Sequence, residues 1–556
     1  MKNKDWFKKS SVYQIYPKSF KDSNNDGIGD IKGIIEKLDY IKNLGIDVIW
    51  LTPIYVSPQK DNGYDISDYY NIDPIFGSMD DFEELLSQVH NRDMKLIMDM
   101  VINHTSTEHM WFKEAQKGED NPYHDFYIWK KTEDGKLPNN WKSKFGGSAW
   151  QYVKNLDKYY LHLFDVSQAD LNWENPKLRE EIYKMMNYWM NKGVDGFRLD
   201  VINLLSKNQD FPNDTLESPN HDGRRFYTDG PRIHEYLKNI NKNVFSLYEN
   251  SMTVGEMSST TINHCINYTK PENMELDMTF NFHHLKVDYP NGEKWALGEF
   301  DFEKLKDILF DWQVKMQDGN GWNATFWCNH DQPRVLSRFG DDKNYPIESA
   351  KMLGTAIHLM RGTPYVYQGE EIGMTNPKFD NISGYKDVES INAYNNLIKK
   401  GYREDEVLDI LKSKSRDNSR TPIQWNENGG FTKGTSWINM ASNYKTINAK
   451  DAVENEESIY NYYKKLINLR KEYDIISHGT IKPILKEHKN VLGYIREYEG
   501  QKLLVLCNFF GEKTEVDISE YIKSFEGKIL ITNYSKQKLD KSMILKPYEC
   551  FAVLFE

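Results

Sequence analysis

Residues 194–200 read Val194-Asp-Gly-Phe-Arg-Leu-Asp200. The run is short and apolar, and it ends on a guanidinium and a carboxylate two positions apart. Such a run is too short for a helix. The preceding stretch, Pro176–Lys192, carries apolar residues at helical spacing. The pair therefore reads as a helix feeding a buried strand. Seven further apolar runs repeat the pattern: Val12–Ile15, Val48–Leu51, Leu96–Met100, Met252–Gly255, Leu276–Phe282, Ala324–Cys328 and Pro364–Tyr367. Amphipathic segments lie between them at Ile31–Leu44, Met79–Arg92, Pro231–Asn243, Phe302–Gln317 and Ile347–Arg361. Alternation of this kind, carried through eight strands, predicts an α/β fold, a (β/α)8 TIM barrel.

Two interruptions and a tail complete the outline. The interval 105–175 is rich in Trp, Tyr, Asn and Gly and too long for a simple loop, so it reads as a subdomain inserted after strand 3. A second insertion spans roughly Met374 to Lys433. From 477 to 556 the pattern changes to short alternating strands, which predicts a C-terminal antiparallel β domain. The barrel itself is then 1–104 and 176–476.

Four motifs sit at the C-terminal ends of predicted strands: Asp99–His104 (DMVINH), Gly196–Asp200 (GFRLD), Val254–Met257 (VGEM) and Asn329–Arg334 (NHDQPR). In a barrel, reactive side chains occupy these ends. Three motifs bring a carboxylate that could do chemistry, Asp200, Glu256 and Asp331, which is the equipment of glycoside hydrolysis: one attacks the anomeric carbon, one protonates the leaving oxygen, and one supports the developing charge. Arg198 and Asp200 are two apart on a strand and so face the same way. A guanidinium beside a carboxylate lowers its pKa by about 1–3 units, which suits Asp200 as nucleophile; a structural Arg–Asp pair would look the same. Glu256 follows an apolar run, where desolvation raises a carboxyl pKa, which suits an acid/base. Asp331 is assigned to orienting the sugar, with His104 and His330 as donors to its hydroxyls. For either histidine alone, a core position is equally readable.

Bulk properties narrow the partners. Of 556 residues, 39 % are hydrophobic, and mean hydropathy is −0.73. No apolar run approaches the roughly 18 residues that cross a bilayer, and the start MKNKDWFKKSSVYQIY has no apolar leader. A cytoplasmic protein is expected. The net charge of −12 argues against nucleic acid and anionic membranes as partners. Four dispersed cysteines, Cys265, Cys328, Cys507 and Cys550, form no CxxC pair and read as buried thiols. Asp22, Asn24, Asp26, Ile28 and Asp30 place oxygen ligands at alternate positions around Gly27, as a hard cation requires. An Asn/Asp-rich turn closed by its own side chains is the other reading.

The four motifs resemble the signature regions of the α-amylase family of glycoside hydrolases, and the likeness runs the length of the chain. The resemblance implies retention through a covalent glycosyl-enzyme, and a structural Ca2+ or Mg2+ at the Asp22–Asp30 loop. It also implies that Tyr64 stacks on the bound sugar while Asp65 holds its distant hydroxyls, and that Arg416 clamps the same sugar, with Arg420 as the other candidate. Gln168–Asn175 (QADLNWEN) resembles the oligo-1,6-glucosidase branch, although Ala169 stands where that branch usually has Pro. Ser143–Trp150 (SKFGGSAW), Phe226–Arg232 (FYTDGPR) and Phe280–Trp295 (FNFHHLKVDYPNGEKW) are similar instead to phosphotrehalases. That likeness implies hydrolysis of a phosphorylated disaccharide, trehalose 6-phosphate, whose phosphate would meet Lys286 with His284 and Lys294, and His283 beside them. Without it, Lys286 reads as a solvated loop lysine. Oligo-1,6-glucosidase activity, and a transferase or isomerase using the same intermediate, are the alternatives. A non-catalytic barrel partnering a transporter would lack these carboxylates. A monomer is expected.

Overall fold

The structure, a computed structural model, describes residues 5–133, 135–215, 221–523, 525–535 and 538–556. Residues 1–4 of the expected leader-free start lie outside them. Eight parallel strands form the barrel: β1 (Val12–Ile15), β2 (Val48–Leu51), β3 (Lys95–Met100), β4 (Gly196–Leu199), β5 (Met252–Glu256), β6 (Met278–Phe280), β7 (Ala324–Thr325) and β8 (Thr363–Tyr367). Their order is β6-β5-β4-β3-β2-β1-β8-β7, and a parallel bridge between Thr279 and Asn323 closes the ring. β6 and β7 are shorter than the apolar runs Leu276–Phe282 and Ala324–Cys328 that predict them. Gly196 opens β4 where any side chain would collide with the Met252 carbonyl of β5, which explains the glycine of the GFRLD motif.

Helices surround the ring. Ile31–Leu44 runs as two helices, Ile31–Glu36 and Leu38–Leu44, parted at Lys37. Two helices that sequence reading did not assign, Ile262–Thr269 and Ile459–Glu472, follow β5 and β8 and complete the outer layer. Inside the barrel, Trp50, Phe280 and Tyr365 pack edge-on and tilted, with Phe280 and Tyr365 centroids 4.6 Å apart. This aromatic plug fills the barrel below the site.

The first insertion is stapled to the barrel mouth. His104–Ser106 at its start pairs antiparallel with Gln168–Asp170 at its end. Between them Trp129–Lys130, Trp150–Val153 and Lys158–Leu161 make a three-stranded sheet. The second insertion contributes helices Val388–Lys399, Glu404–Lys414 and Asp417–Arg420. The C-terminal unit is a five-stranded sheet (Thr480–Ile484, Val491–Tyr498, Gln501–Asn508, Cys550–Phe555, Lys528–Thr532) beside a two-stranded one (Thr514–Asp517 with Ser542–Leu545). It packs on helix Pro346–His358, where the Tyr494 hydroxyl donates to the Ala356 carbonyl at 3.0 Å. All four cysteines are buried free thiols. Among the described residues no helix is long and apolar enough to cross a membrane.

Candidate active site

Arg198 is the hub. It projects from β4 into the barrel, is 1 % exposed, and its guanidinium carbon lies 5.2 Å from the Trp50 ring centroid. Its Nη1 donates to Asp99 and to Asp200, both at 2.7 Å, and its Nη2 donates to Glu256. One cation is thus divided among three carboxylates. Tyr64 donates from its hydroxyl to the second Asp99 oxygen at 2.9 Å. Asp99 therefore anchors the aromatic wall, a role that its motif did not reveal.

The three carboxylates cannot all ionise freely around a single cation. Burial, with help from the Asp200 and Asp331 charges, pushes Glu256 up to about 8 against the pull of Arg198. The expectation that Arg198 would lower Asp200 is corrected: burial dominates and, with the nearby Asp99 charge, raises Asp200 to about 6. At neutral pH Asp200 is still an anion and Glu256 still holds its proton, so the order of the two groups suits nucleophile and acid. One guanidinium thus holds Asp200 and Glu256 side by side. Val201, directly after Asp200, is held at φ 38, and its N–H reaches Glu256 at 3.3 Å. A β-branched residue in the left-handed region is strained, and strain of this kind gathers at working sites.

Asp331 faces this pair. Arg420 Nη2 donates to it at 2.7 Å and Arg416 Nη1 at 3.2 Å. Burial opposes its charge, but the Arg416 and Arg420 cations outweigh burial and hold Asp331 well below the usual carboxylate range. Both arginines also grip Asp387, which caps helix Val388–Lys399. The choice between Arg416 and Arg420 resolves into a division of labour. Arg420 is buried behind Asp331, with its Nε on the His330 carbonyl. Arg416 borders the opening against the Phe145 ring.

His330 stacks on Tyr64, 5.2 Å between centroids and 2° from parallel. Its Nδ1 meets Gln14 at 2.8 Å, while its Nε2 has no hydrogen-bond partner among the described residues and lies 3.5 Å from Asp331 Oδ2. Burial lowers its pKa to about 3, so the ring is neutral, with one nitrogen spare for a ligand hydroxyl. His104 is also held neutral by burial, at about 4, but its Nε2 already meets the Tyr64 carbonyl at 3.2 Å.

Asp65 requires correction. Its carboxylate accepts from Lys60 N, Asp61 N and Ser57 Oγ at 3.0, 2.9 and 3.0 Å, so it is consumed in closing its own loop. Asp61, four residues earlier, takes the position expected of it. Its oxygens accept from Arg416 at 3.2 Å and Gln168 at 3.0 Å, and burial raises it to about 7. Both acids lie in the one turn KDNGYD, and nothing in the sequence distinguishes them.

The predicted phosphate ligands divide as well. His284 is a core residue: it is buried, its Nε2 meets the Phe326 carbonyl at 2.9 Å, and burial lowers its pKa to about 4. It cannot reach a ligand in the mouth. Lys294 is half-buried and paired with Glu389 at 2.6 Å. Lys286 is exposed and has no carboxylate partner among the described residues; desolvation and the Arg224 charge lower its pKa. Two cations that sequence reading missed stand near it. Lys144, from the inserted subdomain, rests on Ser258 Oγ at 2.9 Å; burial and the Arg224 and Lys286 charges lower its pKa to about 8. Arg224 pairs with Asp222. The signals were present but dispersed, since Lys144 and Lys286 lie within two of the three phosphotrehalase-like stretches and Arg224 two residues before the third.

At the proposed cation loop, Asp22 is buried and accepts from the backbone N–H groups of Asn24, Asn25 and Gly27 at 3.0, 2.6 and 2.8 Å. Asp30 accepts from Ser23 and Gly33, and Asp26 from Ile28 N and the Asn24 amide. Among the described residues no three His, Cys, Asp or Glu side chains gather as a metal-ligating group. The loop's carboxylates keep lone pairs beyond those bonds, so a cation would draw on Asn24 and the Ile28 carbonyl as well.

A closed barrel with three carboxylates at its C-terminal mouth defines a glycoside hydrolase. The family model for the alpha-amylase catalytic domain matches residues 14–479, and that for the alpha-amylase SusG C-terminal domain matches residues 491–551. The chain belongs to the α-amylase family. It is 60 % identical to the trehalose-6-phosphate hydrolase of Bacillus subtilis (strain 168), covering 98 % of this chain and 97 % of that one. It is 51 % identical to the oligo-1,6-glucosidase of Halalkalibacterium halodurans, covering 98 % of both. The crystal structure of Bacillus licheniformis trehalose-6-phosphate hydrolase superposes with a TM-score of 0.95 at 60 % identity, covering 99 % of each chain.

Proposed function

We propose that the chain hydrolyses trehalose 6-phosphate to glucose and glucose 6-phosphate with retention at the cleaved centre. The observation that carries this reading is the cation crowd at the mouth. Lys144, Lys286 and Arg224 come from three separate segments; burial and the Arg224 charge lower the pKa of both lysines, and the Lys286 charge lowers that of Lys144 further. Like charges held together are destabilising until an anion joins them. A phosphomonoester brings roughly −1.5 to −2 charges at neutral pH. A neutral disaccharide would gain nothing from the arrangement. The 60 % identity to a trehalose-6-phosphate hydrolase supports the same substrate.

In this reading the unphosphorylated glucose lies against Tyr64 and His330. Asp200 attacks its anomeric carbon while Glu256 gives its proton to the departing oxygen. The glycosyl–Asp200 ester is then opened by water, which surrenders a proton to the Glu256 carboxylate. Asp331, held by Arg416 and Arg420, orients the sugar hydroxyls, and Asp61 shares that work. A structural Ca2+ or Mg2+ at Asp22, Asn24, Asp26, Ile28 and Asp30 belongs to the same proposal. It would brace the loop that leads into helix Ile31–Glu36.

The test is substitution of the unpaired cations. Lys286→Ala and Lys144→Ala should each raise KM for trehalose 6-phosphate about ten- to a hundredfold, the worth of one charge-assisted contact. Neither should raise KM for an unphosphorylated aryl glucoside comparably. Equal losses on both substrates would overturn the phosphate assignment in favour of oligo-1,6-glucosidase activity.

A further inference from the structure

Glu389 occupies an unusual position. It lies in the first turn of helix Val388–Lys399, and both of its oxygens accept from Lys294 Nζ, at 2.7 and 2.6 Å. Its Oε2 also lies 3.3 Å from Arg416 Nε. One carboxylate is therefore divided between a cation on the leaving-group side and the arginine that holds Asp331. Glu389 also lines a cavity of about 260 Å3 together with Lys144, Trp295, Asn392 and Lys400. A dianion reaching Lys144 thus arrives beside a carboxylate. The two repel unless Lys294 stands between them.

We infer that Glu389 is a positioning residue that couples phosphate recognition to the Arg416 clamp. The inference rests on the trehalose 6-phosphate reading. In the free enzyme Lys294 neutralises Glu389. A phosphate dianion competes for Lys294, because a lysine ammonium takes phosphate as a point charge. Glu389 then keeps one cationic partner among the described residues, Arg416. The Arg416 fork already engages Asp61, Asp331 and Asp387. The Nε–H donates to Asp387 at 3.1 Å, and Glu389 as a fourth carboxylate beside that edge fixes the guanidinium, and through it Asp331, in place. Binding energy from the remote phosphate is thereby used at the reacting centre rather than in affinity alone. The device also explains why Lys294, in a phosphotrehalase-like stretch, is paired within the protein.

The test separates the phosphate from the sugar. α-Glucosyl fluoride has a leaving group too small to fill the recess, and inorganic phosphite can occupy the recess as a free dianion. Phosphite should raise wild-type kcat/KM on the fluoride about threefold or more, saturably, because a dianion supplied in pieces returns part of the remote binding energy. Glu389→Gln should still bind phosphite by calorimetry, at least as tightly as wild type because Lys294 is released, yet show no activation. Lys294→Ala should bind phosphite more weakly and show no activation. Melting curves establish that each variant is folded. The inference is overturned if Glu389→Gln is activated as strongly as wild type. It is also overturned if wild type prefers trehalose 6-phosphate to isomaltose but phosphite does not activate it, an outcome that leaves the substrate assignment standing. If isomaltose is preferred, both fall together.

Discussion

Glu256 and Asp200 are held side by side by one guanidinium, Arg198, which donates to Asp200 at 2.7 Å and also to Glu256. A carboxyl and a carboxylate in that relation need different affinities for a proton, and the buried geometry provides them.

The first consequence is a bell-shaped pH dependence of kcat/KM. Asp200 must be ionised to attack. Burial raises it to about 6, so the rate falls as pH drops through that value. Glu256 must hold a proton. Burial raises it to about 8, so the rate falls as pH climbs through that value. The two limbs belong to a coupled pair rather than to isolated groups. A profile measured on free enzyme should peak near neutrality. A flat profile from pH 5 to 9 would contradict the assignment.

Substitution separates the two roles. Asp200→Asn should abolish nearly all turnover in a folded protein, since an amide cannot attack. Glu256→Gln should spare substrates whose leaving groups need no proton. The check is the ratio of activities on an aryl glucoside with a strongly acidic phenol and on a natural disaccharide. The ratio should rise well above wild type in Glu256→Gln and stay unchanged in Asp200→Asn.

Asp61 and Asp65 should respond in opposite ways. Asp61→Asn removes the charge facing Arg416 and Gln168 and should cost about ten- to a hundredfold in kcat/KM, the worth of a hydrogen bond to a charged group. Asp65→Ala frees three donors of its own loop. It should lower stability by about 1–3 kcal/mol, visible as a reduced Tm, with a smaller effect on catalysis than Asp61→Asn.

This contrast marks where the sequence is readable. β1 and β2 begin and end at the predicted residues, because strands buried on both faces must be continuous apolar runs of limited length. The carboxylates at the ends of β4 and β5 follow from the same pattern. Asp61 and Asp65 share one polar turn, and only the direction of each side chain tells them apart. Asp387 and Arg420 come to Asp331 from the second insertion, across more than fifty residues of loop and helix, with no periodic signal. His284 and Lys286 are two positions apart in a short 3-10 helix, His283–Lys286, yet one is buried in the core and the other exposed. Desolvation of Asp200 was misjudged because the arginine beside it is visible in sequence and the depth of burial is not.

The proposed cation predicts that chelation lowers Tm more than it alters initial rate, since the Asp22–Asp30 loop carries no catalytic side chain. Dialysis against a chelator, followed by melting with and without added Ca2+ or Mg2+, is the measurement. An unchanged Tm, with no metal found by elemental analysis of protein purified in the presence of those ions, would remove the cation.

The central claim is tested most directly by kcat/KM for trehalose 6-phosphate, trehalose and isomaltose, measured side by side on one preparation. If Lys144, Lys286 and Arg224 form a phosphate site, trehalose 6-phosphate should exceed both unphosphorylated sugars by at least about tenfold, as one charge-assisted contact allows. The margin should shrink as ionic strength rises, because screening weakens exposed charge pairs. Isomaltose hydrolysed as well as or better than trehalose 6-phosphate would contradict the account.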